Sequence, residues 1–320
     1  MNEYRGGKLN KKQTLAFHIG AHKTATTHFQ NTLALLEDEL KGDGVRYFPL
    51  DVVRQKFNSF YFMHDMKKRL FSYSPEFLKI KWLEDIFNIS GDYQRYLFSE
   101  ENMLGSMDSL LDAKKPYPLM NERLNFIQSL SKKYDIEIFL SIRNFADIYP
   151  GAYTTALRFY PEVILNARNN LLKNLETDTL PSWYSLIKRL RDIFPTIPVT
   201  VWTHEYYKEH QSELFAVFAG RKLANIPNVE VPANTATPNA RGIELIEQNI
   251  KGREKLDIKW KDFCISVTKK NLPQSPSDRY TFLNESQRLK LNKQYTSDLH
   301  LLADDKSLNI TCLYTDTSKM

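Results

Sequence analysis

The sequence predicts an α/β protein, a mostly parallel central sheet flanked by helices. Three observations point there. Apolar runs of strand length, "TLAFHIG" (14–20), "YQRYLFSEEN" (93–102), "IEIFLSIRN" (136–144) and "VTVWTHEYY" (199–207), alternate with segments of helical period. Each run gives way to polar residues at its carboxyl end, the side where open α/β sheets bind ligands. No repeat or low-complexity segment interrupts the alternation.

Each element has its own warrant. Residues 1–13 are polar and read as a loose tail, leaving one domain over 14–320. The first strand ends at Gly20, and Phe29, Leu33, Leu36 and Leu40 then recur at helical spacing until Gly42 and Gly44 stop the helix. "VRYFP" (45–49) reads as a short strand. Residues 51–90 read as two inserted helices, "DVVRQKFNSFYFMHDMKKRLF" and "PEFLKIKWLEDIF", with no chemistry to single out. A helix over 123–134 precedes the strand that ends in Arg143. Helices follow at 145–158, 162–175 and 181–194, so that 160–195 forms a second helical insertion. His204 and Glu205 stand just past the next strand, and later helices are expected at 212–220, 239–251 and 284–303. The last opens on a capping-box pattern, Asn284 with Gln287, and carries Leu291, Tyr295, Leu299 and Leu302 on one face. "VPANTATPN" (231–239) is a loop.

Composition narrows the class. With 42% hydrophobic and 26% charged residues, and with 17 Tyr and 19 Phe, the chain has the makings of a large core. No run of about 18 apolar residues predicts a membrane span, and the first residues lack the apolar centre of a signal peptide. Cys264 and Cys312 form neither a metal pattern nor a disulfide framework, which points to a reducing cytosol. The net charge of +6 suits an anionic ligand, although mixed basic surfaces also serve solubility. No nucleic acid partner is expected. His18, His64, His210 and His300 have no ligand-like spacing.

The hinge "GAHKTATTH" (20–28) carries the sharpest chemical signal. A strand, a tight loop and a helix N-terminus together expose backbone N–H groups, and the helix dipole favours an anion. Lys23 adds a full positive charge, while Thr24, Thr26 and Thr27 offer hydroxyls. The phosphate loop of nucleoside triphosphatases needs two glycines flanking four residues before Lys and Ser/Thr. Gly20 is only three residues before Lys23, and His22 fills the second glycine's slot.

"HIGAHKTATTHFQ" resembles instead the phosphosulfate-binding loop of sulfotransferases that use 3′-phosphoadenosine 5′-phosphosulfate (PAPS), a strand followed by G-x-x-K-T-G-T-T and a helix. Gly20, Lys23, Thr24, Thr26 and Thr27 match, with Ala21 and His22 between, and Ala25 replaces the usual glycine. A second family element is a strand ending in Arg, then Ser eight residues on and Tyr two further. "IRNFADIYPGAY" supplies Arg143, Asp147 and Tyr153, with Gly151 in the serine slot and Thr154 or Thr155 as substitute hydroxyls. "FSEEN" resembles the S-x-E-N segment of carbohydrate-modifying and bacterial relatives. Weaker likeness in "VWTHEYY", "VPANTATPNARGIELIEQN" and "LNKQYTSDLHLL" extends the resemblance over roughly residues 14–303.

The resemblance implies a sulfotransferase fold and transfer of a sulfuryl group from PAPS to a hydroxyl or amine, leaving adenosine 3′,5′-bisphosphate. It implies that Gly20 to Thr27 hold the 5′ side of the nucleotide, with Lys23 stabilising charge. Arg143, with Gly151, Tyr153 and Thr154 nearby, reads the 3′-phosphate. Glu101 takes the catalytic-base position rather than Glu100, which is solvated or bound to a basic side chain; His28 is the reserve base. No metal is expected. Among relatives with a Glu base sugars are common acceptors, so a glycan is favoured, peripherally presented on a lipid or free, over a soluble metabolite or a hydroxylated lipid. Two rival readings stay open: a nucleotide kinase, or a nucleotide-binding protein of this fold without transfer activity.

Overall fold

The computed structural model describes residues 12–57, 76–89, 91–229 and 237–315. Its centre is a six-stranded sheet in the order β2-β3-β1-β4-β5-β6. The strands are β1 (Thr14–His18), β2 (Val45–Tyr47), β3 (Arg95–Ser99), β4 (Asp135–Ile142), β5 (Val199–Thr203) and β6 (Thr311–Leu313). All neighbouring pairs are parallel. This is the expected α/β class, with helices on both faces.

Strand order explains where a ligand would sit. From β1 the chain moves to the β2 edge and returns through β3; it then crosses to the other side of β1 to make β4. The connections therefore diverge on either side of β1, and a crevice opens at its carboxyl end. The ends of β3 and β4 flank that crevice, because His18 pairs with Ser99 and Phe139.

Alternation along the strands builds two cores. Leu15, Phe17, Phe98, Ile138, Leu140 and Val201 face one side, where Phe17 and Phe98 stack at 4.8 Å. Helices α6 (Met120–Leu130), α7 (Phe145–Ala156), α9 (Trp183–Ile193) and α14 (Glu285–Asp304) cover them. Ala16, Leu97, Phe139 and Trp202 face the other side, against Phe29 and Leu33 of α1 (Thr26–Leu35) and Phe215 and Phe218 of α11 (Gln211–Ala219). Each fully buried Leu or Phe contributes about 1.5–3 kcal/mol. The capping box of α14 forms as expected. Asp298 on that helix is buried and accepts from Ser182 Oγ at 2.8 Å and Trp183 N at 2.7 Å, tying α14 to the start of α9.

Several boundaries differ from the sequence reading. The helix expected through Leu40 breaks at Leu36 into α1 and α2 (Glu37–Gly42). The strand in 199–207 ends at Thr203 with His204 and Glu205 just past it, as expected, but those two open an unread helix: Thr203 Oγ1 accepts from Tyr206 N at 3.1 Å and starts α10 (His204–Glu209). α13 (Trp260–Lys270) and β6 went unread. In the first insertion, residues 50–57 are helical (α3) and α4 spans Glu76–Phe87; the remainder of that reading lies outside the described residues, as do most of the tail and of the 231–239 loop. α5 (Met107–Leu110) and α8 (Pro161–Glu176) complete the wall above the crevice, while α12 (Ala240–Asn249) packs behind α7. No helix among the described residues is long and apolar enough to cross a membrane.

Candidate functional site

The hinge after β1 is pinned by a buried polar row. Ile19 N donates to Phe139 O at 2.9 Å and Ala21 N to Ser141 O at 3.0 Å, so the loop leaves the sheet still paired to β4. Gly20 is obligatory there: a Cβ would fall 2.2 Å from Ser141 Oγ and 2.5 Å from His18 Nε2. Thr24 Oγ1 donates to Ala21 O at 2.6 Å. Ser141 must then donate to Thr24 at 2.6 Å, His18 Nε2–H to Ser141 at 3.2 Å, and Ser99 to His18 Nδ1 at 2.8 Å. One neutral tautomer satisfies the whole row across β3, β1 and β4. Burial pushes His18 down to about 3, in keeping with a ring that stays neutral.

Beyond this row the loop coils back. Lys23 and Ala25 have φ of 66° and 70°, and Ala25 caps α1 with no side-chain hydrogen bond. Lys23 Nζ crosses to α7 and donates to Thr155 Oγ1 at 3.2 Å. Gly151 makes room for it, since a Cβ there would lie 3.0 Å from Lys23 Cε. The residue in the serine slot thus accommodates the lysine stem.

Arg143 follows β4 directly. Its Nη1 donates to Lys23 O at 3.4 Å and its Nη2 lies 3.4 Å from Asp147, while its buried Nε has no hydrogen-bond partner among the described residues. Trp183 Nε1 donates to Arg143 O at 2.8 Å and holds the turn. The structure does not bring Tyr153 to this place. Its hydroxyl donates to Glu247 of α12 at 2.5 Å and accepts from Arg168 of α8 at 2.9 Å. Thr154 turns inward too, donating to Gly151 O at 3.2 Å, so Thr155 is the hydroxyl on the loop side.

The end of β3 presents two carboxylates, and both meet Arg54 of α3. Glu100 is 1% exposed; it accepts from Arg54 Nε at 2.9 Å, Arg54 Nη2 at 3.2 Å and Asn102 N at 2.9 Å. Glu101 accepts from Arg54 Nη2 at 3.2 Å and Gln30 Nε2 at 3.1 Å. Of the two alternatives expected for Glu100, solvated or bound to a basic side chain, it is the second that holds. Burial, then the Glu101 charge, push the Glu100 carboxyl up. Burial pushes Glu101 up as well, but a protonated His22 and the Arg54 guanidinium outweigh it and hold that carboxyl below its usual range. Arg54 was missed by sequence reading, because nothing local distinguishes one arginine on a surface helix.

These groups converge on a cleft of about 640 Å³. Among the described residues, Lys23, Arg54, Arg143, Arg158 and Lys261 line it against one carboxylate, Glu101. Thr26, Thr27 and Thr155 also reach it; Gly20, Ala21, Thr24, Gly151, Tyr153 and Thr154 do not line it and act from behind, or face elsewhere. Burial, then Arg158 and Arg143, pull Lys23 down to about 8. His28 lines the cleft, its Nδ1 2.7 Å from the Tyr207 hydroxyl, and burial lowers its pKa. His204 lines it as well, lowered to about 4 by burial and then Arg143. The site can therefore hold a multiply charged anion beside one ionised carboxylate. Among the described residues no three His, Cys, Asp or Glu side chains group to hold a metal ion. No family model matches the chain, and no curated protein matches it either.

Proposed function

We propose that this protein transfers a sulfuryl group from PAPS to an acceptor hydroxyl or amine. One observation carries the reading: Lys23, Arg143 and Glu101, contributed by three separate sequence segments, line a single cleft at the carboxyl edge of β1, β3 and β4. The residues fit an anionic nucleotide. Among the described residues five cations face the cleft, and the buried Nε of Arg143 has no partner. When bound, PAPS supplies the sulfuryl group, whose charge is lower than that of a transferred phosphoryl group and which therefore needs a divalent metal less.

Lys23 and the loop N–H groups stabilise charge on the departing 5′-phosphate oxygen, as preorganised donors do. Arg143 holds the 3′-phosphate, a role suited to a planar guanidinium. The acceptor oxygen or nitrogen bonds to sulfur as the bond from sulfur to the 5′-phosphate breaks, and Glu101 takes the acceptor's proton. A glycan is the favoured acceptor class. Free Cys264 and Cys312 suit a cytosolic setting.

The test is ligand-dependent stability followed by turnover. Adenosine 3′,5′-bisphosphate at a hundredfold its dissociation constant should stabilise the fold by about 2.7 kcal/mol, and AMP at the same concentration by much less. Labelled PAPS should then lose its sulfuryl group in the presence of excess EDTA. Equal shifts with the two nucleotides, or transfer that EDTA abolishes and Mg²⁺ restores, overturns the reading.

A further inference from the structure

A second, larger cleft of about 1050 Å³ adjoins the first, and Asn102 lines both. The two differ in electrostatic character. Around the larger one stand acids (Asp108, Asp112), bases (Lys114, Arg123, Lys173) and amides (Asn170, Asn174); Arg123 is turned to the Asn102 carbonyl, so acids and bases stand close to balance. Side chains that donate beside side chains that accept suit a ligand rich in hydroxyls, each of which does both.

Asn102 at the junction has its orientation dictated from behind. The Tyr117 hydroxyl accepts from His22 N at 3.1 Å, so its own proton goes to His22 Nδ1 at 2.8 Å. His22 is then the Nε2–H tautomer and donates to Asn102 Oδ1 at 3.2 Å. The main chain of Asn102 is also held, N to Glu100 at 2.9 Å and O to Arg123 at 2.7 Å. With Oδ1 committed to the buried side, the amide nitrogen is left with both hydrogens, and it makes no hydrogen bond to the described residues. The structure commits strain to this arrangement. Tyr117 is fully buried with φ of 52°, and Arg189 clamps its turn by donating to Pro116 O at 2.9 Å and Tyr117 O at 2.7 Å.

We propose that the larger cleft takes a neutral, polyhydroxylated acceptor, and that the Asn102 amide, aimed by the Tyr117–His22 relay, donates to the acceptor at the junction beside Glu101. The inference rests on the sulfuryl-transfer reading for its direction but names a site that reading does not need. Orienting the reacting hydroxyl next to the carboxylate that takes its proton is the positional part of catalysis.

The experiment pairs a printed array of neutral, amino and acidic oligosaccharides with bisphosphate binding, on the wild type, Asn102→Asp and Asn102→Ala. Asp keeps the oxygen that accepts from His22 and loses the donor. Wild-type protein should retain neutral oligosaccharides, and both variants should bind them about tenfold more weakly, the size of one lost hydrogen bond. Thermal melts of both variants should stay close to that of the wild type, which shows that they fold. Nitrogen-15 spectra of the His22 ring should show the Nε2–H form alone, and Tyr117→Phe should mix the tautomers. If bisphosphate binds but no neutral oligosaccharide does, or if Asn102→Asp binds it as wild type, this inference falls and the transfer reading stands. If oligosaccharides bind and bisphosphate does not, the transfer reading falls instead. Acidic oligosaccharides bound in preference to neutral ones, or an Nδ1–H ring at His22, also overturns it.

Discussion

A methyl group at Gly151 would lie 3.0 Å from Lys23 Cε, so α7 presents bare backbone to the stem of the loop lysine. Gly151 sits inside that helix without a positive φ, where Ala is intrinsically favoured by about 0.8–1.0 kcal/mol. Gly151→Ala should therefore separate two properties. Its melting temperature should hold or rise, while displacement of Lys23 should weaken bisphosphate binding about threefold to tenfold, a change of about 0.7–1.4 kcal/mol. Calorimetric titration beside a thermal melt checks both. Unchanged affinity would mean that the position of the lysine stem does not matter to the ligand.

Ala25 holds φ of 70° at the cap of α1, in a slot where the resembling pattern has glycine. A left-handed backbone strains an L-residue by about 1–2 kcal/mol. The greater freedom of glycine in the unfolded chain offsets about 0.4–1 kcal/mol of that. Ala25→Gly should raise stability by the difference, and the melting temperature by roughly 1–3 °C for a chain of this size. A fall in melting temperature would show that the methyl group contributes packing which outweighs the strain.

Legibility in the sequence followed locality. β1, β3, β4 and β5 were readable because apolar runs of strand length stand between helical segments, and the loop because Lys23 and its threonines are adjacent. Arg54 was not readable. It meets Glu100 across 46 residues of chain, and only the passage of α3 over the end of β3 brings them together. Tyr117 reaches His22 across 95 residues in the same way. β6 is three residues long and partly exposed, which leaves too little pattern to find. Tyr153 shows a subtler limit. Spacing placed it correctly on a helix next to the cleft, but spacing does not say which way that helix is rotated, and its hydroxyl points to Glu247 and Arg168.

Lys23 makes anion binding depend on pH. Burial, then Arg158 and Arg143, bring it to about 8 in the free protein, and a bound anion must raise it again. The protonated form is the one that binds. Affinity for bisphosphate should hold near pH 7 and should fall above 8, by up to about tenfold per pH unit, until the value in the complex is passed; below about pH 6 protonation of the phosphates themselves lowers it. Lys23→Met should bind more weakly, with a flat profile between pH 7 and 9. Titrations at half-unit steps decide it: a wild-type curve as flat as that of the variant would move the controlling charge away from Lys23.

Glu100 and Glu101 share Arg54 but should fail in different ways. Glu100 is buried and holds Arg54 at two points and Asn102 N at a third, so its neutral amide would lose charge-assisted bonds. Glu100→Gln should cost about 1–3 kcal/mol of stability, the range for hydrogen bonds to charged groups. Glu101 lines the cleft and is held below its usual range by a protonated His22 and by Arg54 against the effect of burial. The proton-accepting form is the carboxylate. The acid limb of kcat/KM should therefore fall only as pH drops through a value below the ordinary 4.5. Glu101→Gln keeps the shape, removes the acceptor and should lower kcat about 10²–10⁴-fold, the usual size of a general-base contribution. Bisphosphate affinity should change little, and the melting temperature should fall less than in Glu100→Gln, because Glu101 takes one bond from Arg54 where Glu100 takes two. Steady-state kinetics with a working acceptor, beside thermal melts of both variants, separate the roles. Full activity in Glu101→Gln with collapse in His28→Asn would transfer the proton to His28, which lines the same cleft from the first turn of α1.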